Sequence, residues 1–286
     1  MQNPWLFALI RFHQADTFRK LLPSLIGLAL ITALIAWLEM EYLCLADAHP
    51  LKNITQMHSL LGFAISMLLV FRTNTAYDRW WEGRKLWASI VTGCRNLAIK
   101  VQAFCLPEDE ATRQWFAHQL ASYAKEVQQH LAKADSHSLN RPVARATLMA
   151  ERIPQLCAEG KLPEARLFLI HQEIACLVDL CSACERIRNT PIPVSYFLFI
   201  KKFIATYTLT LPFGYAFTLG WFAIPVVVFI FYVLASLEMI AEQIEDPFGN
   251  DAPDLPIEAL CQQVERDVQQ ILLSKATQAP PGIAES

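Results

Sequence analysis

Three large apolar side chains, Phe63, Met67 and Phe71, recur every fourth residue in a stretch without glycine or proline until Gly83. In a helix this spacing places all three on one stripe. If several copies of the helix met around an axis, the stripe would form stacked apolar rings, which can gate a pore by dewetting. From spacing alone, packing against lipid or neighbouring helices is the favoured explanation.

Two other segments carry residues that could bind a metal ion. Cys181 and Cys184 form a lone C-x-x-C on a predicted helix, and without a second pair a structural role is favoured. The acidic run from Glu245 to Asp254 offers the oxygen ligands that calcium prefers, but it lacks the spacing of an EF-hand. From the sequence alone, an acidic turn that caps the next helix is the favoured explanation of this run.

Motifs of the common enzyme classes are missing from the sequence. It has no nucleotide-binding glycine pattern, Walker loop, G-x-S-x-G elbow or paired-histidine zinc motif. The net charge of -3, without a long basic run, gives no sign of nucleic-acid binding. We therefore expect neither an enzyme nor a nucleic-acid-binding protein.

The composition favours a membrane protein with a sizeable part in water. Of the 286 residues, 54% are hydrophobic, and the mean hydropathy is +0.28. Charged residues make up 18%, which is too many for a chain that lies wholly in lipid. The eight cysteines are scattered along the chain and are expected to be free thiols.

Hydropathy and charge predict four membrane-spanning helices in an all-α protein. Basic residues cluster after Phe71 and near the N-terminus, which places both termini in the cytoplasm. A turn at Leu219–Trp221 divides the last long apolar stretch into two spans. The predicted segments are an N-terminal amphipathic helix (1–20), transmembrane helices 1 and 2 (21–71), a helical cytosolic region (72–195), transmembrane helices 3 and 4 (196–240), and an acidic turn with a C-terminal helix and tail (241–286).

Three motifs in the chain resemble those of one known family. They are RTNTAYDRWWEGRKLW at 72–87, CER at 184–186 followed by TPIP at 190–193, and EDPFG at 245–249 with DLP at 254–256. In this order they resemble the bacterial branch of the bestrophin family over nearly the whole chain. The resemblance implies a homopentameric, nearly all-helical ion channel of the bacterial inner membrane, with one central pore and no required cofactor.

The resemblance also implies roles for particular residues. It places the neck of the pore at Phe63, Met67 and Phe71, the stripe found from spacing, and thereby favours the pore over simple packing. A second, cytosolic constriction would fall at Ile174. The same position lies on an apolar helical stripe, so core packing explains Ile174 equally well.

Animal bestrophins bind calcium in a clasp formed partly by the acidic run. This chain keeps Asp251 and Asp254 as candidate calcium ligands, but Ala252 and Pro253 lie between them. This departure from the family pattern argues against gating by calcium.

The sequence favours a passive channel for small monovalent ions, with a slight lean to chloride. Animal relatives favour chloride, and phenylalanine ring edges are partly positive. Two alternatives stay open: a sodium channel of the same architecture, because some bacterial relatives pass cations, and a non-conducting membrane scaffold. The expected partners are other copies of the chain, membrane lipid and the permeant ions.

Overall fold

Helices make up nearly all of the chain that the structure describes. The structure is a computed structural model and describes residues 16–43, 54–105, 109–132, 141–249 and 254–273. The helices are α1 (Asp16–Leu38), α2 (Ile54–Phe104), α3 (Glu110–Ala132), α4 (Arg141–Ala158), α5 (Glu164–Asn189), α6 (Val194–Leu219), α7 (Ala223–Glu245) and α8 (Ile257–Leu273). A π-helical turn, Glu39–Leu43, follows α1, and the described residues contain no strand. The all-α prediction is therefore confirmed.

The chain divides into two compact units. The first contains residues 1–78 and 192–245, and the second contains residues 79–191 and 246–286. The first unit holds α1, the beginning of α2, and the pair α6 and α7. The second holds the rest of α2 together with α3, α4, α5 and α8.

Helix α2 contains 51 residues, which corresponds to about 77 Å at about 1.5 Å per residue. The sequence predicted that this helix continues beyond its apolar half into the charged segment, and the structure confirms it. Gly83 does not end the helix, which continues to Phe104. The glycine is buried, and Pro247 and Phe248 approach it closely. The change from apolar to charged residues thus occurs within one helix.

Helices α1, α6 and α7 pack against one another in the first unit. Its core consists of Leu28, Ile65, Leu69, Ile200, Ile204, Tyr207, Leu211, Val227 and Leu234. Large apolar side chains also cover the outside: Leu30 is 66% exposed and Phe229 is 65% exposed. Helices that are apolar on both the buried and the outer face are typical of proteins embedded in lipid.

The turn predicted at Leu219–Trp221 is present. Helix α6 ends at Leu219, and a 3-10 turn over Gly220–Phe222 leads into α7. Gly220 adopts a φ of +53°, a backbone conformation that favours glycine. This reversal lets α6 and α7 pack as a hairpin.

Among the described residues, four helical segments are long and apolar enough to cross a membrane: Thr17–Glu41, Gln56–Phe104, Glu164–Asn189 and Gly220–Glu245. Three of them overlap predicted spans. The segment Glu164–Asn189 was predicted to be cytosolic, and α6 was predicted to be a span. Helix α6 is not one of the four segments, and Lys201 and Lys202 reduce its mean hydropathy. It nevertheless belongs to the first unit, together with the other predicted spans.

The second unit has an extensive core of its own. Helix α3 packs against α4 and α8, and α4 packs against α5. The core contains Trp87 and Tyr123, and the Tyr123 hydroxyl donates a hydrogen bond to the Leu177 carbonyl at 2.6 Å. The buried apolar residues of α5 belong to this core. All seven described cysteines are free, as predicted.

Other boundaries of the second unit also follow the sequence. The helical pattern before the breaker Thr190–Pro193 predicts one helix from Leu162 to Arg188, and α5 spans Glu164–Asn189. Gly160 has a φ of +73° in the turn before it, and Pro191 and Pro193 lie beyond its end. The predicted amphipathic helix at 1–20 lies mostly outside the described residues, and Asp16–Lys20 belong to α1.

Candidate pore-lining helix

The three candidate neck residues project away from the core of their own unit. Phe63 is 72% exposed, Met67 is 49% exposed and Phe71 is 52% exposed. On the other face of α2, Ile65 and Leu69 are buried in the core of the first unit. The stripe does not pack inside its own subunit, so it is available to lipid, to another copy of the chain, or to a pore.

Arg72, the residue after Phe71, is fully buried and fixes the helix at this point. Its Nη2 donates a hydrogen bond to Glu245 Oε2 at 2.7 Å, and its Nε lies 3.7 Å from Glu238 Oε2. Glu245 Oε1 in turn accepts a hydrogen bond from the backbone N–H of Ile192 at 3.0 Å. One carboxylate thus joins α2 to the end of α7 and to the segment before α6.

Sequence reasoning missed this role of Arg72. It counted Arg72 only among the basic residues that mark the cytoplasmic side, whereas the structure shows a side chain that is 0% exposed. Two carboxyl groups face this one guanidinium, and neither oxygen of Glu238 has a hydrogen-bond partner among the described residues. The sequence signal was present as Glu238 and Glu245, but their partner lies more than 160 positions away in the chain.

The N-terminal end of α2 is fixed against α6. His58 is 3% exposed, and its Nε2 lies 3.1 Å from Thr210 Oγ1. A Cβ on Gly62 would lie 2.8 Å from the Tyr207 hydroxyl oxygen, so the absence of a side chain permits this close approach. Contacts on both sides of the stripe therefore set the rotation of α2 about its axis.

The three sequence motifs meet on α2 in the second unit. Arg79 donates from Nη1 to the Thr190 carbonyl at 2.7 Å and from Nη2 to the Ile187 carbonyl at 2.6 Å. These hydrogen bonds satisfy carbonyl groups at the C-terminal end of α5. A Cβ on Gly83 would lie 2.9 Å from Pro247 Cγ and 3.2 Å from Phe248 Cζ. The first motif therefore contacts both the second and the third.

Ile174 lies in the core of the second unit and is 4% exposed. Ile170 and Leu177, on the same stripe of α5, are buried with it. A side chain covered by its own core does not present itself to a lumen. This burial is what the core-packing alternative left open by the sequence predicts, and the cytosolic constriction at Ile174 stays a prediction.

The candidate calcium ligands are described only in part, since Asp251 lies outside the described residues. Asp254 is described, and an added Cβ on Gly249 would lie 2.8 Å from Asp254 Oδ2 and 3.7 Å from Asp246 Oδ2. Asp246 Oδ1 also accepts a hydrogen bond from the Phe248 N–H. Calcium takes about six to eight oxygen ligands, and no group of three candidate metal-binding side chains occurs among the described residues. A calcium clasp therefore stays a prediction.

Comparison with known proteins identifies the family of the chain. The profile of the family described as "Bacterial/Fungal Bestrophin protein" matches residues 1–270. A voltage-dependent anion channel-forming protein of Nostoc is 34% identical over 231 residues, covering 73% of this chain and 75% of that protein. Another of Mesorhizobium japonicum is 30% identical over 282 residues, covering 92% and 87%.

A solved structure shares the fold. The crystal structure of a bacterial bestrophin homologue from Klebsiella pneumoniae, carrying one substitution, superposes with a TM-score of 0.77 at 26% identity. The match covers 88% of this chain and 99% of that one. With the profile match, the two relatives and the apolar helices described above, the chain is a multi-pass membrane protein that belongs to the bacterial and fungal branch of the bestrophin family.

Proposed function

We propose that five copies of this chain form a channel for small monovalent ions. In each copy the first half of α2 lines the neck of the pore with Phe63, Met67 and Phe71. The observation that carries the proposal is that these three side chains are exposed on a helix whose opposite face is fixed by buried contacts. Rings of such side chains control how many water molecules accompany an ion through the neck.

The names of the relatives support a lean to anions. Both curated relatives described above are named voltage-dependent anion channel-forming proteins. The two phenylalanine positions are compatible with this, because the edge of an aromatic ring is partly positive. Chloride is therefore the first ion to test.

A monovalent cation such as sodium is the second candidate. An apolar ring does not by itself select the sign of an ion. The charge nearest to the neck on its exposed face is the carboxylate of Asp78, which favours cations. Both candidates share the same architecture, and both require a transport function without catalysis.

We further propose that α1, the first part of α2, α6 and α7 cross the bacterial inner membrane, with both termini in the cytoplasm. Basic residues after Phe71 support this orientation. The exposed apolar side chains on α1 and α7 support contact with membrane lipid. The partners are then lipid, four further copies of the chain, and the permeant ions.

Ion flux through reconstituted vesicles tests the neck. Replacing Phe63, Met67 and Phe71 together by alanine should raise flux about tenfold, since it widens the apolar constriction. The matched control replaces Ile26, Leu30 and Leu34 by alanine, because these are equally large and are 53%, 66% and 55% exposed on α1. This control should leave flux unchanged.

Two results would contradict the proposal. Equal flux from the neck variant and the unmodified protein would place the gate elsewhere. A mass for the detergent-solubilised particle other than five times the 32.4 kDa chain would exclude the pentamer. A properly assembled pentamer without any conductance would instead support a membrane scaffold.

A further inference from the structure

We infer that Asp78 sets the charge preference of the pore, as a ring of carboxylates just beyond the neck that favours cations and opposes anions, and that it thereby supports sodium, the second candidate, against chloride. This inference rests on the proposed function, because the ring exists only if copies of α2 surround an axis. It identifies a specificity-determining residue outside the apolar stripe.

The register of α2 places Asp78 on the face of the neck. Asp78 follows Phe71 by seven residues and Met67 by eleven, which are close to two and three helical turns. It is exposed, like the neck residues. At about 1.5 Å per residue, it lies about 10 Å beyond Phe71 along the helix axis.

Asp78 is the exposed charge in this part of the helix. From residue 56 to residue 78, the side chains with a full charge at neutral pH are Arg72 and Asp78. Arg72 is 0% exposed, and its guanidinium is bound to Glu245. An ion leaving the neck along this face therefore meets a negative charge first.

No residue in the part of the chain that the structure describes neutralises the carboxylate of Asp78. It forms no hydrogen bond or ion pair with another residue in the described ranges. The cation next to it in sequence, Arg79, donates to the carbonyl groups of Ile187 and Thr190. One residue further along a helix is also about 100° further round it, so Arg79 lies away from the face that carries Asp78.

The distances allow Asp78 to act on ions in the neck. The Debye length is about 10 Å at about 0.1 M salt, so a ring about 10 Å from Phe71 is only partly screened there. The next charged residue in this register is Glu82, eleven residues after Phe71 and about 6 Å beyond Asp78 along the helix axis. Glu82 Oε1 lies 3.4 Å from Arg186 Nη2, so this carboxylate has a cation beside it. Acidic rings of this kind favour cations in other channels, and the apolar neck provides no opposing charge.

The reversal potential in asymmetric sodium chloride measures this preference in the reconstituted full-length channel. Asp78→Asn should lower the ratio of sodium to chloride permeability by about threefold, and Asp78→Lys should lower it further. Asp78→Glu, which keeps the charge, should retain the ratio. The effect should shrink when salt rises from about 0.1 M to about 1 M, where the Debye length falls to about 3 Å.

A matched control removes an equally exposed carboxylate elsewhere. Glu110, at the start of α3, is exposed, and Glu110→Gln should leave the ratio unchanged. Asp78→Cys provides a second route that starts from an assembled channel. Modification of this cysteine by a negatively charged thiosulfonate should restore the sodium preference, and a positively charged reagent should lower it further, with the unmodified protein treated in parallel.

The outcomes separate this inference from the proposed function. One outcome would overturn the role of Asp78 and leave the proposed channel intact. In it, the neck variant carries a larger current than the parent, but the permeability ratio is the same in the parent, Asp78→Asn and Asp78→Lys. Absence of current in the parent and in the neck variant would overturn both. A lower ratio in Asp78→Asn, with retention in Asp78→Glu and Glu110→Gln, is the result that the structure predicts.

Discussion

The buried ion pair between Arg72 and Glu245 offers the sharpest test of how α2 is held. Arg72→Met leaves a side chain of similar length without the charge, and the carboxyl groups of Glu238 and Glu245 then face no guanidinium. Removing one partner of a buried ion pair costs about 3–5 kcal/mol. We expect this loss in the free energy of unfolding of Arg72→Met.

Replacing the acids should cost less, because Arg72 contacts both of them. Glu245→Gln removes a charge-assisted hydrogen bond of 2.7 Å, worth about 1.5–3 kcal/mol, and leaves Glu238 within 3.7 Å of Arg72. Glu238→Gln should cost about 0–1 kcal/mol, since neither Glu238 oxygen has a hydrogen-bond partner among the described residues. The double variant Arg72→Met/Glu245→Gln should cost less than the sum of its single changes, because the two residues contact each other.

Unfolding of the purified protein by titration with sodium dodecyl sulfate, followed by circular dichroism, measures these differences. Lys201→Met is the matched control, because Lys201 pairs with Glu242 at 2.8 Å but the two side chains are 39% and 51% exposed. Such a surface pair contributes about 0–1 kcal/mol. An equal loss for Arg72→Met and Lys201→Met would refute the argument that Arg72 is buried and anchors α2.

Three further predictions concern the second unit and calcium. Gly83→Ala should destabilise the protein by about 1–3 kcal/mol in the same titration, because its Cβ would lie 2.9 Å from Pro247 Cγ. The control Gly27→Ala, where no atom lies within 4 Å of the added Cβ, should be neutral or stabilising. Equal effects of the two substitutions would contradict the close approach at Gly83. Burial raises the pKa of the Cys261 thiol to about 12. At about pH 8 this thiol therefore stays protonated and should not react with a maleimide in the folded protein, whereas the exposed Cys176 should be labelled. Peptide mass spectrometry distinguishes the two cysteines, and labelling of Cys261 before unfolding would contradict its burial. Conductance should not respond to calcium in the parent, in Asp251→Ala or in Asp254→Ala, because Ala252 and Pro253, which carry no side-chain oxygen, lie between the two candidate ligands. A response that Asp254→Ala abolishes would instead establish a clasp.

Features that depend on neighbouring residues in the sequence were predictable. The continuous helix through residues 63–83 follows from the absence of helix-breaking residues, and the turn at Gly220 follows from a glycine between two apolar runs. Helix α5 was predicted to within two residues at each end, because Pro163 and Pro191 restrict the backbone on either side.

Features that depend on distant partners were not predictable from one sequence. The burial of Arg72 requires Glu245, 173 positions away, and local charge counting could only treat Arg72 as a flanking cation. The side of α5 that carries Ile174 is likewise decided by packing against other helices, because its apolar stripe fits a core and a lumen equally. The reason for glycine at position 83 appears only when Pro247 and Phe248 are placed beside it.

The supporting and the exposed residues of α2 follow each other closely along the helix, and this separates stability from conduction. Phe71 is half exposed, so Phe71→Ala removes few contacts within the subunit and should change flux more than the stability of an isolated chain. Arg72, one residue later, is buried, so its replacement should cause a large loss of stability. It should also cause a leak of ions, because the rotation of α2 is no longer fixed, although the neck sequence is unaltered. Measuring both quantities in both variants tests the two-faced helix directly. A loss of stability without any change of flux in Phe71→Ala would mean that Phe71 supports the subunit and does not face a pore.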